Sequence, residues 1–95
     1  MNSNHIRLHL DRPAISSAVD LIKAQCAMKW PPPLDIWMVQ VIVGPRVAQL
    51  NADLMRDSED LELSVDDRAY AAQQLALVQD CERRLANLRV QVRNA

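Results

Sequence analysis

The sequence predicts an all-α fold: a three-helix arrangement dominated by a long antiparallel helical hairpin, with an extended N-terminal arm. Three observations carry this expectation. The 95 residues contain a single glycine, too few for the tight turns of a sandwich or barrel. Leu, Ala, Val and Ile supply nearly all the apolar content, with no Phe, one Tyr and two Trp. The last third places Ala71, Val78, Leu85 and Val92 seven residues apart, with Cys81 and Leu88 between them, a seam with the heptad spacing of a coiled coil.

One domain is expected over residues 1–95, with an arm at 1–12 and helices at 13–29, 34–57 and 64–94. In the arm, Ile6, Leu8 and Leu10 alternate with His5, Arg7 and His9, which suits an extended segment laid on the helices or paired with a second copy. His5 and His9 would make a metal pair only in a helix. No third ligand is near, so a solvated tail is expected and no metal.

Asp11-Arg12-Pro13 reads as a helix start, with Asp11 or Arg12 as the cap and Pro13 in the first turn. Ile15, Val19, Ile22 and Cys26 follow at helical spacing, and Ala18, Leu21 and Met28 widen the apolar face. Trp30-Pro31-Pro32-Pro33-Leu34 ends this helix, because three prolines cannot continue it. The motif resembles the aromatic-proline ligands of EVH1 domains, but Leu34 stands where those ligands carry another proline. A stiff connector clasped by Trp30 and Trp37 is expected instead.

Residues 34–57 admit two readings. Ile36, Val43, Val47, Leu50 and Leu54 form one helical stripe. The β-branched run Val39, Val41, Ile42 and Val43 would also suit a buried strand. A lone strand has no sheet to join, and the stripe keeps its register across Gly44-Pro45. A helix kinked or briefly broken at Gly44-Pro45 is therefore expected.

Asp57, Glu59, Asp60, Glu62, Asp66 and Asp67 make the next connector acidic. It lacks the central glycine of a calcium loop, so a solvated turn with Leu61 or Leu63 tucked beneath is expected. Ser64 then caps the long helix, with Asp67 three residues on as a short version of the capping-box acid. Asp66 and Asp67 sit at the positive end of the helix dipole, and Arg83, Arg84, Arg89 and Arg93 toward the negative end. Thirty residues make a rod of roughly 45 Å, which needs a partner helix of similar length from this chain or another copy.

The formal net charge is −1, without the basic surplus of a sequence-independent nucleic-acid binder. Cys26 and Cys81 fall at apolar helix positions, as buried free thiols or, alternatively, as a bridge. No secretory signal pattern is visible, and the apolar run Ile36–Val43 is too short to span a bilayer. A cytoplasmic protein without membrane association is expected. The histidines lie only in the arm, and a single glycine allows no glycine-rich phosphate loop. Neither a catalytic constellation nor a cofactor site is expected.

The function this pattern suggests is non-enzymatic protein binding, of the adaptor, chaperone or inhibitor type, with self-association as a homodimer or with one protein partner. Val78, Leu85, Leu88 and Val92 on the seam and the clasp residues Trp30 and Trp37 would carry it. The alternative is a nucleic-acid-associated regulator using Arg83, Arg84, Arg89 and Arg93.

Overall fold

The computed structural model describes residues 10–28 and 37–94, with residues 88–94 as backbone only. The arm residues 1–9 and the segment Trp30–Leu34 lie outside the described residues. The fold is all-α. Among the described residues there are three α-helices, α1 (Arg12–Ala27), α2 (Gly44–Ser58) and α3 (Val65–Asn94), with a π-helical segment, Met38–Val43, leading into α2.

α1 starts where its cap dictates. The Asp11 carboxylate accepts the Ala14 N–H at 3.2 Å, and Pro13 occupies the first turn, where no amide hydrogen is needed. Arg12, expected in the arm, is already helical. At the far end Met28 turns extended, with ψ at 149°, while its N–H still bonds the Ala24 carbonyl.

The β-branched run is neither a strand nor a break. Met38–Val43 is π-helical, and Gly44 donates its N–H to the Val39 carbonyl, five residues back. In a plain α-helix Pro45 would leave the Val41 carbonyl without a donor and press its ring against it. The wider turn shifts the bonding pattern just ahead of the proline, which then sits in the first turn of α2. Gly44 itself stays right-handed helical, with φ −54° and ψ −53°. The irregularity expected as a kink or brief break at Gly44-Pro45 takes the form of a π segment that ends directly before Gly44.

α2 ends in a chain of turns. Ser58 Oγ donates to the Met55 carbonyl at 2.8 Å, and Asp60 accepts the Glu62 N–H at 2.9 Å. Leu63 is buried beneath this connector and Leu61 is exposed. Ser64 Oγ then accepts the Asp67 N–H at 3.0 Å, which starts α3. The Asp67 side chain does not return the capping bond to Ser64's amide; it turns to Arg12.

One apolar cluster joins the elements: Val19, Ile22 and Cys26 from α1, Val39 and Val43 from the π segment, Val47 and Leu54 from α2, and Ala71, Val78, Cys81 and Leu85 from α3. The described part of the heptad seam, from Ala71 to Leu85, therefore lies in this chain's own core. Burying each Val, Leu or Ile contributes about 1.5–3 kcal/mol. The contact between α2 and α3 is the most extensive in the fold, as the short connector requires of neighbouring antiparallel helices. α1 packs chiefly on α3 and only slightly on α2.

Candidate interaction surface

α1 is fastened to α3 at two points that both bridge 55 residues of sequence, Arg12–Asp67 and Cys26–Cys81. A constant offset means that the two helices run parallel and in register. At the N-terminal point, Arg12 Nη2 donates to Asp67 Oδ1 at 2.9 Å and to Asp66 Oδ2 at 2.6 Å, and Nε donates to Asp67 at 3.3 Å. The guanidinium lies 4.6 Å from the centre of the Tyr70 ring, whose hydroxyl donates to the Arg12 carbonyl at 3.2 Å. Arg12 holds the Asp67 carboxyl below the usual carboxylate range, and the Leu10 N–H and Ser64 assist while burial opposes. The same two acids raise the Arg12 pKa.

At the second point the thiols of Cys26 and Cys81 are free and buried. Cys26 Sγ lies 3.9 Å from the Cys81 carbonyl oxygen. Burial pushes the Cys26 thiol up to about 11, and the neighbouring Cys81 adds to the shift.

Against α2, by contrast, α1 stands open. Ala18, Leu21 and Ile22 face Arg46, Gln49 and Leu50 across a groove of about 280 Å³. The surface that lines it is almost wholly apolar. Leu21 remains about half exposed. Met28, two turns along α1, is exposed to a similar degree, as are Trp37 and Val41 at the π segment that packs on α1.

The residues singled out by sequence fall in different places. Val78 and Leu85 are buried in this chain's own core cluster and have almost no exposed surface to offer a partner. Trp37 is 50% exposed. Trp30 and the side chains of Leu88, Arg89, Val92 and Arg93 lie outside the described residues. Arg83 and Arg84 are exposed and share one carboxylate, Asp80, at 3.0 and 3.3 Å, which offsets part of that basic face.

Sequence reasoning missed the Arg12–Asp66–Asp67–Tyr70 cluster and the groove. Only the groove left a trace, in Ala18, Leu21 and Met28, which make the apolar arc of α1 wider than one neighbouring helix can cover.

Among the described residues no helix is long and apolar enough to cross a membrane. No known protein family, curated protein or solved structure matches this chain.

Proposed function

We propose that this chain is a small non-enzymatic protein–protein interaction module, of the adaptor, chaperone or inhibitor type, whose first partner is a second copy of itself. One observation carries the proposal: the opening between α1 and α2 leaves an almost wholly apolar groove and the half-exposed Leu21 uncovered. Uncovered apolar surface of this kind marks a site that a partner covers. A helix laid in the groove would complete a four-helix layer and cover Leu21 and Leu50.

Light scattering over a range of concentrations tests this, with wild type beside Leu21→Asp. Wild type is expected to approach twice the chain mass as concentration rises. Leu21→Asp should stay at the single-chain mass with unchanged far-UV circular dichroism. A wild-type chain that is monomeric at every concentration removes self-association, and a dimer that survives Leu21→Asp moves the contact elsewhere.

A further inference from the structure

We infer that Cys26 and Cys81 are a latent dithiol that closes to an intrachain disulfide, stapling the C-terminal end of α1 to the middle of α3. The two are the only cysteines of the chain, and both are buried on facing helices. The Cys26 thiol reaches the Cys81 backbone carbonyl at 3.9 Å, so the sulfur lies against the residue it would bond. Direction favours the pair as well. Every Cα–Cβ bond of a helix tilts toward its N-terminus, so facing side chains on parallel helices tilt the same way and stay level. Arg12 and Asp67 share the same 55-residue offset, so closing the bond would not shift the register of α1 on α3.

The chemistry needs a two-electron oxidant, and hydrogen peroxide suffices. One thiol loses its proton and attacks a peroxide oxygen, the O–O bond breaks, and water and a sulfenic acid result. The second sulfur attacks the sulfenic sulfur, its proton leaves with the displaced hydroxide as water, and the S–S bond forms. In sum, two thiols and one peroxide give one disulfide and two waters. The scarcity of thiolate in a buried site with Cys26 raised to about 11 sets the pace. Closure should be slow near neutrality and faster at higher pH, as the thiolate fraction rises. The staple would fix the second end of a helix already held by Arg12. It would also cross-link the unfolded chain, whether or not the neighbouring groove binds anything.

The test uses the full reduced chain, treated with hydrogen peroxide at pH 7 and pH 9, then unfolded and alkylated. The expected product is a monomer two hydrogens lighter, with neither cysteine alkylated. Its Tm should rise by roughly 10–20 °C and return with dithiothreitol. Cys26→Ser and Cys81→Ser should gain no Tm under the same treatment. Disulfide-linked dimers, sulfinic acid on separate cysteines, thiols that stay reduced in the folded chain, or a bond that lowers the Tm would each overturn the inference.

Discussion

Replacing Leu85 by alanine separates the two roles open to the α3 seam. Leu85 is 2% exposed and belongs to the core cluster shared by α1, the π segment, α2 and α3. Truncating a buried leucine costs about 2–5 kcal/mol, and the cost rises with the cavity that cannot collapse. Leu85 lies at the end of the core, beyond the last buried residue of α1 in register, where neighbours relax more easily than at Val78. The lower half of the range, about 2–3 kcal/mol, therefore applies. For a domain of this size that loss lowers the Tm by roughly 8–24 °C. The assay is a circular dichroism melt at several protein concentrations, with Leu61→Ala as the control. Leu61 is 83% exposed in the connector and should change stability by less than about 0.5 kcal/mol. Self-association raises the Tm of any variant with concentration, but the gap between Leu85→Ala and wild type should hold at each concentration if Leu85 acts within one chain. A gap that vanishes on dilution would return Leu85 to an interface and refute the intramolecular core.

Two further predictions concern the ends of the helices. Asp67 has a folded-state pKa below its unfolded value, so its contribution is present above pH about 4 and disappears as pH falls through the folded pKa. Asp67→Asn should therefore lower stability at pH 7 and flatten the acid limb of a stability–pH curve. An unchanged acid limb would show that other carboxylates control it. Gly44→Ala sets two effects against each other: helix propensity favours alanine by about 1 kcal/mol, but Gly44 is buried and an added methyl in a packed site costs about 1–3 kcal/mol. Net destabilisation is expected in urea titration, and a stabilised variant would mean that the site beside Gly44 has room.

What could be read from the sequence was local. The Asp11 and Ser64 caps, the seam of α3 and the breaks between helices depend on residues within a turn or two of each other. The π segment did not follow, because the proline rule foresees a break and does not say that a helix will widen to avoid one. Val39 and Val43 of that segment are both buried. The Arg12–Asp67 pair spans 55 residues and exists only because α1 runs parallel to α3. Periodicity also says that an edge must be covered without naming what covers it. The seam is thus legible, and its assignment to a partner through Val78 and Leu85 does not follow from its spacing.

The location of the groove follows from what α3 offers its neighbours. Ala71 and Cys81 are small and buried on the seam, so helices can approach α3 closely there. α2 is held to it by a short connector, and α1 by Arg12 at one point and Cys26 at the other. Both helices are thereby committed to α3 rather than to each other, and the contact between α1 and α2 is slight. Leu21 and Leu50 then line the gap left between them. The apolar demand of this chain is met at the seam and unmet in the groove. A charge introduced at Leu85 should therefore unfold the protein, whereas the same charge at Leu21 should leave it folded and remove only what binds there.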